Sequence, residues 1–273
     1  MSKAARPPVK DPWEYAKEYF HSDSILDAHR MYAKYCPEVF EGFMTLRQGI
    51  FMDPPHGALS LKYKELTCVA IEAAKIVPSE GHARMAVEAG ATPHEVAEVL
   101  SLCIMLGGMV TYMHSGRKAM ESAIDAAQKA GQKEKRAAKR PPIRDPWEYA
   151  RDYFNNEATL AAHGMYAKHC PEVFQGFMTL RQGAYMAPPV GALPLKYKEL
   201  MCVAIEVAKI VPSEGHARRA IEYGATPHEL AEVLCLCIML GGMVTYMHSG
   251  RKAMEAAEAK AKELAGVRTQ EGR

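Results

Sequence analysis

The feature that most constrains this chain is a duplication. Asp11-Pro12-Trp13-Glu14-Tyr15-Ala16 returns as Asp145-Pro146-Trp147-Glu148-Tyr149-Ala150, and the displacement of 134 residues holds without a gap through Met120 and Met254. The approach to each unit matches too, Arg6-Pro7-Pro8 against Arg140-Pro141-Pro142. Differences gather in 21–30 against 155–164 and in 50–60 against 184–194. A period this long is a duplicated domain, not a solenoid with a period of about 20–50 residues. The expected units are 1–134 and 135–273. They are joined by a Lys/Arg/Ala-rich linker over about 128–144, read as a frayed helix end followed by an extended connector.

Within a unit the local signals are helical, and the expected class is all-α. Pro12 opens a helix to about Phe20, Asp23 or Ser24 caps a second to about Tyr35, and Pro37 opens a third carrying Phe40, Phe43, Met44 and Arg47. Pro54, Pro55 and Gly57 mark a loop, followed by an apolar helix over 61–76. Ser79 is the expected cap of a fifth helix that stops at Gly90. Thr92-Pro93-His94-Glu95 then reads as a capping box. The sixth helix runs to a break at Gly107-Gly108, and a last one continues to about Ala127. No alternating segment bounded by turn residues calls for a strand.

Composition excludes several partners. A net charge of +2 over 273 residues gives no electrostatic case for nucleic acid or a membrane surface. The longest apolar runs, 99–113 and 233–247, fall short of the roughly 20 residues that span a bilayer, and read as buried core helices. Residues 1–10 are basic and lack the apolar core of a signal peptide. Seven cysteines, scattered singly apart from Cys235 and Cys237, favour a reducing, cytoplasmic setting over a disulfide framework. Cys68 and Cys103 read as small core hydrophobes, and Cys235 and Cys237 point to different helix faces.

Chemistry is expected around Pro78-Ser79-Glu80-Gly81-His82-Ala83-Arg84, which recurs letter for letter as 212–218. His82 and His216 fall in the first turn of a helix, where the dipole disfavours the imidazolium. This gives a neutral-leaning ring suited to proton transfer, although a carboxylate nearby would push the other way. On the preceding helix, Glu65 and Glu72 share one sector at about 100° per residue, as do Glu199 and Glu206. Carboxylates on an apolar face need partners or raised pKa values. The bland alternative pairs them with Lys or Arg at a subunit interface. Tyr112 and His114 after the Gly-Gly break are expected to enter the same cavity, with Glu80 beside it. Tyr246, His248 and Glu214 are their counterparts. His94 reads as a surface residue of the capping box and His29 as structural. No short ligand spacing calls for a metal, so none is assigned. A divalent ion held by His82, His114 and a glutamate stays as the alternative.

These residues resemble a family. Lys64-Glu65-Leu66, an apolar helix, His82, the run Gly90-Ala91-Thr92-Pro93-His94-Glu95 and a Gly-Gly helix are similar to the carboxymuconolactone decarboxylase superfamily, which includes alkylhydroperoxidase D. The likeness covers about 40–125 and 174–259. It implies tandem alkylhydroperoxidase D-like domains and homo-oligomers, here a trimer of tandem chains. Its peroxidase branch uses a Cys-x-x-Cys pair just before the histidine. Here that segment reads Lys75-Ile76-Val77-Pro78-Ser79-Glu80-Gly81, without either cysteine. The decarboxylase branch keeps the histidine with acidic neighbours. The resemblance therefore implies a lyase without a cofactor, with His82 matching the family histidine and Glu65 the glutamate before it. Such an enzyme acts by proton transfer on a small organic acid or lactone. A non-catalytic binding or scaffold protein of the same fold is the alternative.

Overall fold

The computed structural model describes residues 7–20, 22–132, 138–154 and 156–271, with side chains up to 266. The opening residues 1–6 and the linker's middle, 133–137, lie outside the described residues. Each unit begins with three helices, α1 (Pro12–Tyr19), α2 (Asp23–Ala33) and α3 (Pro37–Ile50). There follow α4 (Leu61–Ala74), α5 (Glu80–Glu88), α6 (Pro93–Gly107) and a short α7 (Met109–Thr111). A π-helical turn at Tyr112–Gly116 then leads into α8 (Arg117–Lys129). The second unit repeats the order as α9 (Pro146–Phe154), α10 (Glu157–Ala167), α11 (Pro171–Ala184), α12 (Leu195–Ala208), α13 (Glu214–Glu222) and α14 (Pro227–Gly241). It closes with α15 (Met243–Thr245), a π turn at Tyr246–Gly250 and α16 (Arg251–Glu271). No strand occurs among the described residues, and the fold is all-α.

The helix ends follow local chemistry. Asp11 accepts from the Trp13 and Glu14 N–H groups at 2.9 and 3.0 Å, closing α1. The capping box forms in full, with Thr92 N–H on Glu95 at 2.8 Å and Glu95 N–H on Thr92 Oγ1 at 3.2 Å. Gly90, at φ 94°, ends α5 in the left-handed conformation, and Ala91 N–H returns to Ala86 O at 2.8 Å, the Schellman pattern. Two caps differ from expectation. Ser22, not Asp23 or Ser24, precedes α2 and makes no side-chain cap bond. Ser79 precedes α5 but turns its hydroxyl to buried Ser115 Oγ at 2.9 Å instead. The reason is tertiary: Ser115 also donates to Val77 O at 2.6 Å, tying the π turn to the loop that carries the motif.

The two units share their interior. One apolar cluster joins Leu66, Val69 and Val99 to Leu193, Met201 and Ile205, and the other joins Leu59, Cys68 and Ile71 to Leu200, Val203 and Leu234. Tyr63 and Tyr197 stack with centroids 3.5 Å apart where the equivalent helices meet. Charges cross as well. Lys64, fully buried, pairs with Glu232 at 3.1 Å, while Glu232 accepts from the Ala58 and Leu59 N–H groups, both at 2.8 Å. The mirror set is Lys198 with Glu98 at 3.0 Å, and Glu98 on the Ala192 and Leu193 N–H groups at 2.9 and 2.8 Å. Each unit's 52–60 type loop is thus latched by the other unit's sixth helix.

Candidate active site

Four elements converge on His82. From α4, Glu65 places Oε2 2.6 Å from His82 Nδ1, and Glu72, two turns on, places Oε1 3.6 Å from Nε2. Seven residues apart on a helix is nearly two full turns, so both carboxylates face the same side. Tyr19 of α1 donates its hydroxyl to Glu65 Oε1. Arg47 of α3 lies with its guanidinium 4.0, 4.9 and 4.5 Å from the ring centroids of Tyr19, Phe20 and Phe51. Tyr19, Arg47, Glu72 and His82 border one cavity of about 200 Å³, whose other walls include Ile25 and Met85. A roomier cleft of about 330 Å³ between α1, α2 and α3 borders Asp11, Trp13 and Arg30 and brings no acid–base pair together.

The charges in this site are strongly perturbed. Burial pushes Glu72 up to about 7; the His82 charge opposes that and Glu65 adds to it. Burial opposes the His82 imidazolium, but Cys68 and the Glu65 carboxylate more than offset it, and the ring stands well above its ordinary value. Burial pushes the Cys68 thiol up as well, so the charge holding the His82 proton is that of Glu65. This corrects the neutral-leaning histidine inferred from its place at a helix start. The dipole supplies about half a positive charge at the terminus, whereas Glu65 brings a full negative charge into hydrogen-bond contact. Tyr19 is pushed up by burial and then by Glu65, and stays a hydrogen-bond donor.

Arg47 is the second departure from ordinary structure. It is 3% exposed, and its Nε and Nη2 atoms are buried without a hydrogen-bond partner. Nη1 reaches only the Met239 sulfur at 3.6 Å. The buried Tyr15 hydroxyl lies beside it, close enough for the Arg47 charge to act on it, without a well-formed hydrogen bond. Stacked rings offset part of the cost, at about 0.5–2 kcal/mol each, but an unpaired buried ion costs several kcal/mol.

The second unit repeats the constellation with two changes of chemistry. His216 Nδ1 lies 2.5 Å from Glu199 Oε2 and its Nε2 lies 3.6 Å from Glu206 Oε1. Tyr153 donates to Glu199 at 2.9 Å, and burial again raises the acid, Glu206, to about 7. Arg181, 4% exposed, sits over Tyr153 at 4.1 Å, with Nε unpartnered. Where the first unit has Phe51, the second has Tyr185, whose hydroxyl lies 3.0 Å from Cys202 Sγ and 3.5 Å from both Glu199 and His216. Met85 is matched by Arg219, which donates to Tyr153 O.

The structure gathers His82, Glu65 and Glu72, and likewise His216, Glu199 and Glu206. It does not bring the expected Tyr112 and His114 into the cavity. Inward-facing Ser115 leaves His114 on the outer face, exposed, with Tyr112 half-buried against the core, and Tyr246 and His248 are placed alike. Glu80 is half-buried at the start of α5 and acts on Glu72 through its charge; Glu214 does the same to Glu206. Cys68, read as a core filler, is buried, but its sulfur and the nearest Glu65 and His82 atoms lie within 4.8 Å of one another. Tyr19, Arg47 and Tyr185 with their counterparts were not read as site residues. Only Arg47 carried a usable signal, a lone cation on the apolar face of α3.

The carboxymuconolactone decarboxylase family matches this chain over residues 37–135 and again over 171–266. No curated protein matches it. Among solved structures, the chain is similar to a protein from Burkholderia xenovorans LB400 described as a gamma-carboxymuconolactone decarboxylase subunit. The likeness has a TM-score of 0.53 at 18% identity, and covers 96% of this chain and 100% of that one. At that identity it speaks for the fold alone. With both halves of the duplication matched, and a histidine framed by two glutamates in each, the chain belongs to the carboxymuconolactone decarboxylase family.

Proposed function

We propose that the protein is an acid–base lyase acting on a small organic acid or lactone, with one site in each unit. The observation that carries this reading is the Glu65–His82–Glu72 series, in which one ring nitrogen is held by a carboxylate and the other faces a carboxyl raised to about 7. A catalytic acid works best with a pKa near the working pH. In a decarboxylation, the electron pair of the breaking carbon–carboxylate bond moves onto a neighbouring carbonyl as an enolate. His82 Nε2–H would hold that oxyanion, and protonated Glu72 would deliver the proton that quenches the carbanion. Glu65, fixed by Tyr19, orients His82. The absence of a Cys-x-x-Cys pair before His82 speaks against a thiol peroxidase.

Release of CO₂ from a panel of carboxylated lactones and β-keto acids tests the reading. Exchange of both His82 and His216 for Gln should cut turnover by about 10²–10⁴; unchanged turnover would overturn it. One observation favours a second reading. Glu65, Cys68 and His82 carry donor atoms close enough for a divalent ion such as zinc, although Tyr19 and His82 already occupy both Glu65 oxygens. Elemental analysis of untagged protein, stoichiometric in zinc and with activity lost on chelation, would favour it. We also propose assembly into trimers, supported by exposed Met109, Val110 and Met113 and their counterparts Met243, Val244 and Met247.

A further inference from the structure

We infer that Arg47 and Arg181 are the anchors for a carboxylate of the substrate, so that each site takes an anionic ligand and discriminates against its neutral analogues. This rests on the acid–base reading of the same cavity and adds the ligand class to it.

Three observations carry the inference. First, both guanidinium groups are buried beyond nine-tenths, and both leave nitrogens without a partner, Nε and Nη2 in Arg47 and Nε in Arg181. Buried arginines are ordinarily paired with a carboxylate or phosphate. Among the described residues neither guanidinium meets a carboxylate: Nη1 finds a methionine sulfur from the other unit, Met239 for Arg47 and Met105 for Arg181, and Arg47 has besides it only the Tyr15 hydroxyl nearby. Second, Arg47 borders the same cavity as His82 and Glu72, so an anion drawn to it from that cavity lies beside the acid–base pair. Third, the charges do not balance. Glu65 faces the His82 imidazolium, and burial raises the Glu72 carboxyl to about 7, so Glu72 offers Arg47 no full counter-charge at neutral pH. A substrate carboxylate supplies that charge.

The aromatic cage determines the geometry of the anchor. Tyr19, Phe20 and Phe51 surround the guanidinium, and the nitrogens that make no hydrogen bond, Nε and Nη2, form one edge of it, the kind of edge a carboxylate engages with two parallel hydrogen bonds. Stacking holds the cation in place without satisfying its hydrogen bonds, as a preorganised anion site requires. The same arrangement recurs around Arg181 with Tyr153, Phe154 and Tyr185.

Calorimetric titration tests this with benzoate as the probe and benzamide as its neutral match, on the wild-type chain, R47M/R181M, R47K/R181K and H82Q/H216Q. The expected result is benzoate binding to wild type and to H82Q/H216Q, no benzamide binding, and at least a roughly 30-fold loss in R47M/R181M. R47K/R181K should bind with intermediate affinity, because lysine keeps the charge and loses the fork. Thermal melting without ligand provides the control for folding. An anchor kept for binding predicts that R47M/R181M melts no lower than wild type, since removing an unpaired buried cation relieves its cost. Equal benzoate affinity in R47M/R181M, benzamide binding as tight as benzoate, or a large drop in the ligand-free melting temperature would each overturn the proposal. The acid–base reading fails separately, by undiminished turnover in H82Q/H216Q.

Discussion

Glu72 shows how one residue's surroundings set its task. On the fourth helix it has the same intrinsic acidity as any glutamate, and burial beside Glu65 moves it to about 7. The sign of the resulting pH dependence is definite. A carboxyl with a raised folded-state pKa contributes stability fully present below its ordinary value of 4.5 and lost as pH rises towards about 7. His82, raised above 6.5, acts in the same direction: its contribution is lost as pH rises through its folded-state value. Melting temperature should therefore fall between pH 5 and pH 8, conditions chosen to bracket these values. The E72Q/E206Q variant should show a flatter profile, which differential scanning calorimetry can measure. Tyr185 supports a second prediction. Its hydroxyl touches Glu199, Cys202 and His216, while Phe51 brings no hydroxyl to the other site. With H216Q reporting only the first site and H82Q only the second, the two pH–rate profiles should differ. Adding Y185F to H82Q should move the second profile towards the first; profiles identical from the start would contradict this.

At the scale of elements, most helix boundaries were legible because they are local. The capping box at Thr92, the Pro-initiated helices and the glycine stop at Gly90 all depend on residues within a few positions of each other. One end was not legible. Ile76 occupies the left-handed position after α4 at φ 59°, with Val77 N–H returning to Glu72 O at 3.1 Å. That is the pattern of Gly90 made with a β-branched residue, for which the conformation is costly. The loop between α3 and α4 is equally tight. A Cβ on Gly57 would meet Met52 O at 1.9 Å and Lys64 Nζ at 2.8 Å. G57A should cost about 1–3 kcal/mol by overpacking and lower the melting temperature by several degrees. A neutral effect would show that the loop yields.

The whole molecule is held by contacts that no single unit contains. Glu98 and Glu232 each satisfy two backbone N–H groups and a buried lysine in the other unit. E98Q should destabilise the chain by about 3–5 kcal/mol, because it leaves Lys198 buried without its counter-charge. E98Q/K198M should recover much of that loss; chemical denaturation of the three proteins measures the difference. Light scattering tests the proposed assembly, with three times the 30.2 kDa chain mass expected and a monomer refuting it.

The sequence alone determined the duplication, the helical class, most helix ends, the family, and two glutamates in one helix sector ahead of a histidine as the candidates in each unit. All of these are periodicities, neighbour effects or motifs. Tertiary structure decided the rest. It brought Tyr19 of α1 and Arg47 of α3 to a site otherwise built by α4 and α5, turned His114 outward and put Cys68 beside the histidine. It also reversed the charge preference of His82. The physical reason is distance in space: a helix dipole can be read from position in the chain, but a carboxylate at 2.6 Å outweighs it, and only packing sets that distance.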